Sequence, residues 1–486
     1  SSDSEDNTIG GTDAGAALDA DTYRNTLFGK DTGKVINSGD DNSAFGYRAL
    51  YSNTSGLYNH AFGSLALYDN TTGGYNHAIG YESLTNNTTG NHNIAVGLRA
   101  GYQNTTGDGN IALGYDTLNN NIEGGYNIAI GHQSGYNIRY DYSGGSAGAY
   151  NTLLGDNTGY NIRQGTYNIA IGSEALKMSS SSNSSARYNI GIGYRTGNSL
   201  TTGAYNILLG QHAGDGITSG QYNSAIGDYA GRAITTGGYN AILGKSAGYN
   251  LTTGTNNTIL GNSAATNLTT GTYNVAIGDQ ALAGGSGSNV TGGNNIAIGN
   301  QAGYDISSGE LNTCIGYAAG ANITTSNHNT CIGRSAGNSI TTGASNLVLG
   351  SFAEPSSATV SNEITLGDTS ITKFRIPGIN FVIKDTTATD NYVLTVDSNG
   401  EAGWEAASGG GPGTGESYVK LTNGGSLANN GVNTFAGLFT GNNLTTGAEY
   451  NTSFGWKAGE MVTTADHNSY FGANAGTATT TGNNNT

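Results

Sequence analysis

The sequence predicts an all-β fold, a parallel β-roll or β-solenoid built from 17-residue coils and interrupted by a small β neck. Three observations predict it. Residues 201–251 read TTGAYNILLGQHAGDGI, TSGQYNSAIGDYAGRAI and TTGGYNAILGKSAGYNL, one 17-residue unit written three times. Glycine accounts for 81 of 486 residues, while prolines number 3 and charged residues 11%, a composition unlike that of ordinary globular domains. Hydrophobic residues still make up 35% and recur at regular spacing, which points to ordered repeats and away from low complexity.

Numbering the unit TTGxYNxhhGxxAGxxh from 1 to 17, with h apolar, places asparagine at position 6. The series steps by 17 from Asn25 to Asn127, passes through Asn151, Asn168 and Asn189, and steps by 17 again from Asn206 to Asn274. It closes at Asn295, Asn312, Asn329 and Asn346. A fixed period near 20 residues is the mark of a solenoid. The unit is too short for a helix pair, and glycine at positions 3 and 10 would break a helix. Positions 7 to 9 are rich in Ile, Val, Leu, Thr and Ala between Gly and Asn, which predicts a short strand bounded by turns. Positions 15 to 17 are expected to supply a second strand, closed by the Thr-Thr-Gly turn, with the glycines at positions 3 and 10 taking positive φ at the corners. About nineteen such coils at ~4.8 Å spacing make a rod on the order of 90 Å long.

Stacking explains why some letters are fixed, because equal positions in successive coils form ladders. Asn206, Asn223 and Asn240, with Gly210, Gly227 and Gly244, are the expected structural Asn/Gly ladder. Tyrosine at position 5 recurs from Tyr58 to Tyr273, with Tyr205, Tyr222 and Tyr239 in adjacent coils. A shorter column at position 15 includes Tyr51, Tyr68, Tyr136 and Tyr160. These columns read first as ladder packing; the functional alternative is a surface for stacking glycans on Tyr205, Tyr222 and Tyr239.

Two neighbouring positions carry the inference about partners. Position 8 is never polar in the main array, as in Ala44, Ala129, Leu208, Ile242, Cys314 and Cys331. Position 9 is always large and apolar, as in Ile79 and Ile226. Neighbours on a strand face opposite ways, so the strand is apolar on both sides. One side fills the thin interior; the other needs cover, and a second copy of the rod is the expected cover. A closed cyclic arrangement avoids open-ended growth, and a homotrimer is the arrangement expected.

Other function classes find little support. The net charge is −16 and the 18 Lys and Arg residues never cluster, so no nucleic-acid partner is expected. No run of ~20 apolar residues predicts membrane insertion. Acidic residues are scattered: Asp156, Asp228 and Asp279 share position 11 on separate coils and do not converge as a hydrolase requires. No nucleophile motif or phosphate loop is present, so the chain is expected to be neither an enzyme nor a cofactor binder. His60 and His77 share position 7 of adjacent coils and read as stacked imidazoles before a zinc pair. Cys314 and Cys331 sit one coil apart at position 8, where buried free thiols are favoured over a disulfide. The Asn-x-Thr/Ser sequons at Asn53, Asn70, Asn87 and Asn104 fall at the Thr-Thr-Gly turn.

The core NxAIGxxA(L/G), as in NHAIGYESL (76–84) and NVAIGDQAL (274–282), resembles the head repeats of trimeric autotransporter adhesins and, more closely, the repeats of phage tail-fibre proteins. The resemblance implies a trimeric β-roll serving as an extracellular shaft or adhesive head. Its expected partners are other tail or fibre proteins and a host-surface glycan or receptor bound through a tip, and its expected place is the virion. A bacterial surface adhesin or filament on the same roll is the alternative. Ice binding, prompted by Thr201-Thr202 and Thr235-Thr236, and glycan degradation are further readings.

Beyond the main array (1–350), residues 351–416 break the pattern and read as a β neck with a Gly-rich joint. Within it, FVI and YVLTV are short apolar strands, and SNEITLGDTSITKFRIPG is similar to connector segments of tail fibres. The repeat resumes over 417–486 at NTFAG, NTSFG and NSYFG, and TTGNNNT (480–486) opens a further unit, so the sequence reads as part of a longer protein. Insertions near 139–148, 179–186 and 283–292 all fall ahead of a position-6 asparagine and are expected to project from one turn.

Overall fold

The computed structural model describes residues 5–139, 148–178, 185–373 and 375, the backbone of strands at 392–396, 402–406 and 434–436, and residues 450–461, 463–464, 466–478 and 481–486. Two compact units divide the chain, Ser1–Arg375 and Ile376–Thr486. The first is a parallel β-solenoid whose single sheet has 21 strands, from Thr8–Gly10 to Ile364–Leu366. Each strand is three residues long, positions 7 to 9 of its coil, and pairs in register with the strands one coil before and after. The sheet thus extends beyond residue 350 by one coil, in which Glu363 takes the asparagine place and its N–H donates to Asn346 Oδ1 at 2.9 Å.

The expected second strand does not form. Positions 15 to 17 are turn, with only isolated bridges such as Ile138 with Arg163 and Leu268 with Val290. The reason is the path of the backbone. Each coil turns through left-handed residues at positions 5, 12 and 14, as at Tyr205 (φ 59°), His212 (φ 55°) and Gly214 (φ 57°). These reversals send successive N–H groups to different neighbouring coils: Tyr205 and His212 donate to Arg187 and Tyr194 of the preceding coil, Gly214 to Ala230 of the next. A pleated second strand cannot follow such a path, but every turn still bonds between coils.

The two corner glycines play different parts. At position 10, Gly210, Gly227 and Gly244 have φ of 127°, 129° and 139°, outside the αL well that other residues reach. At position 3, Gly203, Gly220 and Gly237 do not have positive φ, contrary to expectation; a Cβ on Gly220 would lie 2.4 Å from the Gly237 carbonyl oxygen. Close approach of coils, not backbone conformation, fixes that glycine.

The core is one thin column. Asn206, Leu208, Ala213 and Ile217, at positions 6, 8, 13 and 17, are all fully buried. Positions 14 and 17 share the remaining space. Coils with Leu50, Leu67 or Leu84 at position 14 carry Asn53, Asn70 or Asn87 at position 17; coils with Gly214, Gly231 or Gly248 carry Ile217, Ile234 or Leu251. Gly101 with Asn104 departs from this, and there Leu84 of the preceding coil lies 2.8 Å from where a Cβ would stand. A Cβ on Gly231 would come within 2.7 Å of Ile234 Cδ1. Gly231→Leu alone is therefore expected to overpack the core and cost about 1–3 kcal/mol, with Gly231→Leu/Ile234→Asn more stable than the sum of the singles predicts; a double-mutant cycle in denaturant reads the coupling.

The insertion at 283–292 closes on the solenoid: Gly285–Gly287 form a 3₁₀ turn, and buried Val290 donates its N–H to Asn267 O at 2.8 Å. Residues 140–147 and 179–184 of the other two insertions lie outside the described residues, as do the FVI segment (381–383) and the Gly-rich joint.

In the second unit, Tyr392–Val396 pairs antiparallel with Ala402–Ala406. Thr434–Ala436, Thr452–Phe454 and Ser469–Phe471 form a separate three-stranded parallel sheet, so the 17-residue grammar resumes there. Asn468 donates to Asn451 Oδ1 from both its backbone N–H (3.0 Å) and Nδ2 (2.9 Å), the same ladder in shorter form.

Candidate functional site

The asparagine column is the spine of the rod. Asn223 donates its backbone N–H and its Nδ2 to Asn206 Oδ1, both at 3.0 Å, and Nδ2 also donates to Gly237 O at 2.9 Å. Asn240 repeats the pattern onto Asn223 Oδ1 and Gly254 O. In these coils both donors of the buried amide are used and each Oδ1 accepts twice, which is how a polar side chain is tolerated in so narrow a core; at Asn59 the Nδ2 reaches only Gly73 O and Asn42 Oδ1 accepts once. A second buried column runs through Asn53, Asn70, Asn87 and Asn104, each Nδ2 reaching the previous Oδ1 at 2.7–2.8 Å. The sequons are therefore interior, closed to glycosylation in the folded chain. For Asn53, Asn70 and Asn87 the signal is the pairing of Leu at position 14 with Asn at position 17; Asn104, with Gly101, lacks it.

The strand is apolar on both sides, and the structure separates the two roles. Ala44, Ala129, Leu208, Cys314 and Cys331 are fully buried and Ile242 is nearly so, all facing the interior from position 8. The Cys314 and Cys331 thiols are free and paired across adjacent strands; their mutual hydrogen bond, then burial, push the Cys314 thiol well up and leave it unreactive. Position 9 points outward: Phe28, Phe45 and Phe62 stack at 4.9–5.3 Å, followed by Ile79, which is 47% exposed, Val96 and on to Ile226, Leu243 and Leu260. Position 7 points the same way and adds Ile94, Ile128, Ile169, Ile207 and Ile296, all exposed. Position 9 is apolar from Phe28 onward, while position 7 is polar in about half of the coils (Thr26, Ser43, His60, Thr152, Ser224 and Thr313 among them), so the apolar surface is one long column widened only in places.

His60 and His77 also lie on this face, ring centres 4.6 Å apart and planes at 62°. Partial burial, and then the neighbouring His60, hold His77 below the ordinary imidazole value. The folded state thus binds that proton less tightly than the unfolded chain. Its contribution to stability is complete above about pH 6.5 and is lost as pH falls below that value. A thermal midpoint lower at pH 5 than at pH 7.5 is expected, with a smaller difference in His77→Gln.

The tyrosine columns sit beside the strands. Tyr188, Tyr205, Tyr222 and Tyr239 stack with ring centres 4.9 Å apart and planes within 16° of parallel. Both faces of Tyr205 and Tyr222 are therefore covered by neighbouring rings, and only edges and hydroxyls reach solvent. A sugar cannot stack on those two rings; Tyr239 alone of the three keeps a face free. The position-15 pairs Tyr51–Tyr68 and Tyr136–Tyr160 stack at 5.1 and 5.0 Å and are half-buried. The threonine row is also committed: Thr201, Thr218 and Thr252 donate their hydroxyls to carbonyls of the next coil at 3.0–3.1 Å. Asp156, Asp228 and Asp279 are exposed on separate coils, as position 11 requires.

No protein-family model matches the chain, and no curated protein matches its sequence.

Proposed function

We propose that the chain is a structural fibre, the shaft of a phage tail fibre, which works as a homotrimer held by the outward faces of its strands and carries a receptor-binding tip away from the particle. The observation that supports it is the outward apolar strip at positions 7 and 9, with Ile192 at 40%, Leu243 at 48% and Leu260 at 41% exposure on a single chain. Burial of such a strip at about 25 cal/mol per Å² is a large driving force for association even after binding costs. The tail-fibre identity rests on the likeness of NHAIGYESL, NVAIGDQAL and SNEITLGDTSITKFRIPG to tail-fibre repeats and connectors. In this reading the rod's role is length and stiffness, supplied by coils that each bond to two neighbours.

Light scattering of the full chain in native buffer is expected to give three times the chain mass, and a monomer would reject the reading. Ile192→Lys/Leu243→Lys/Leu260→Lys is expected to give a monomer with an unchanged far-UV spectrum, because all three side chains lie outside the core. A trimer that survives those three charges would place the contact elsewhere.

A further inference from the structure

The position-5 aromatic column has a gap. Tyr239 stacks on Tyr222 at 4.9 Å, the next coil carries Asn256 in place of an aromatic residue, and the coil after that carries Tyr273. Tyr239 and Tyr273 are each 60% exposed, against 44% for Tyr205 and Tyr222 within the stack. The difference reports ring faces that no neighbour covers. Two coils separate the rings, so their centres stand about 10 Å apart, the space of one missing ring. Asn256 is too short to fill it, and its Nδ2 donates to Thr255 Oγ1 at 3.1 Å, tying the amide back to the turn. Thr258, at the head of the same coil's strand, is exposed where neighbouring coils carry Ala241 and Val275. Residues 238–241, 255–258 and 272–275 contain no charged side chain. Within the position-5 column this is the one single-coil gap with tyrosine on both sides among the described residues.

We propose that Tyr239, Asn256 and Tyr273 form a slot for one neutral pyranose ring of a glycan. The flat C–H face of a β-linked pyranose suits the electron-rich faces of two tyrosines, and its rim of hydroxyls suits an amide and threonine floor. A purely aromatic ligand would leave that polar floor unpaired, and an anionic one would find no counter-charge. The walls Tyr239 and Tyr273 and the Asn256 amide stand apart from the fibre reading, whereas Thr258 belongs to the outward strand face that the proposed trimer uses.

The test titrates the full chain, in the assembly it forms, with cellobiose, N,N′-diacetylchitobiose and lactose, followed by saturation-transfer NMR. Saturable binding of at least one disaccharide is expected, weakened about tenfold or more by Tyr273→Ala. Asn256→Tyr is the decisive variant. It adopts the φ of 59° that Asn256 already has and Tyr205 shares, completes the column and keeps both walls, yet is expected to weaken binding by a similar factor. Binding of none of the three sugars, or undiminished binding by Asn256→Tyr, would overturn the slot. A monomeric chain that binds sugar would reject the fibre assembly while leaving the slot intact.

Discussion

Asn223→Ala is expected to destabilise the middle of the solenoid by about 2–6 kcal/mol, the cost of leaving two buried backbone groups unpaired. The Asn240 N–H loses its acceptor, Asn223 Oδ1, and the Gly237 carbonyl loses the Nδ2 that bonds it at 2.9 Å. Asn206 Oδ1 keeps one donor, the backbone N–H of residue 223, which the substitution does not remove. Asn223→Asp preserves shape but supplies no donor and sets a carboxylate against the Gly237 carbonyl; it is expected to be the worse variant at neutral pH and to recover in part in acid, where the carboxyl regains a proton to donate. Because each coil touches only its neighbours, the damage should stay local. Native-state hydrogen exchange should show fast amides across coils 206–240 and ordinary protection elsewhere. A change within about 0.5 kcal/mol of the parent, as at an uninvolved surface site, would mean that the ladder sets spacing and contributes little else.

The column that this substitution tests was legible in the sequence, because a side chain that must meet its own copy above and below has no freedom to drift. The same holds for the strand at positions 7 to 9 and its two apolar sides, since alternation along a strand is independent of what surrounds it. Other features were hidden for physical reasons. The left-handed turns at positions 5 and 12 accept Tyr, Asn, Leu, Arg, Glu and Ser alike, as Leu65 (φ 60°) and Glu82 (φ 57°) illustrate, so residue type carries no mark of them. Leucine or isoleucine at position 17 suggested a second strand, but it is buried by the turn that carries it. The interior asparagines at 53–104 resembled surface sequons because a buried amide and a turn asparagine look the same in one coil; the swap with position 14 across coils separates Asn53, Asn70 and Asn87, but not Asn104, which is paired with Gly101. For the aromatic columns, residue type shows where rings recur but not which faces are covered, and the covered faces of Tyr205 and Tyr222 are what direct the proposed sugar slot to the gap at Asn256.

Gly227→Ala tests the other fixed letter of the unit and is expected to cost at least about 3 kcal/mol, from backbone strain and steric conflict acting together. The φ of 129° lies where an L side chain is strained in any surroundings, and here the added Cβ would stand 2.6 Å from the Gly244 carbonyl oxygen and 3.2 Å from the Lys245 nitrogen. Relief would require the two coils to separate, yet Gly227 donates to Leu209 O at 2.7 Å and Gly244 to Ile226 O at 2.9 Å, bonds that set the coil spacing. Ser246→Ala is the matched control. It sits at φ 55°, in a left-handed well already occupied by a non-glycine residue, and should shift stability by no more than about 0.5 kcal/mol. Thermal or urea unfolding of the two variants side by side separates the explanations. A large loss in both would mean that any change at the corner is harmful. A large loss only in Gly227→Ala would show that position 10 is fixed by conformation and by contact with the next coil, and hence that glycine recurs there because the coil beneath it is the same coil again.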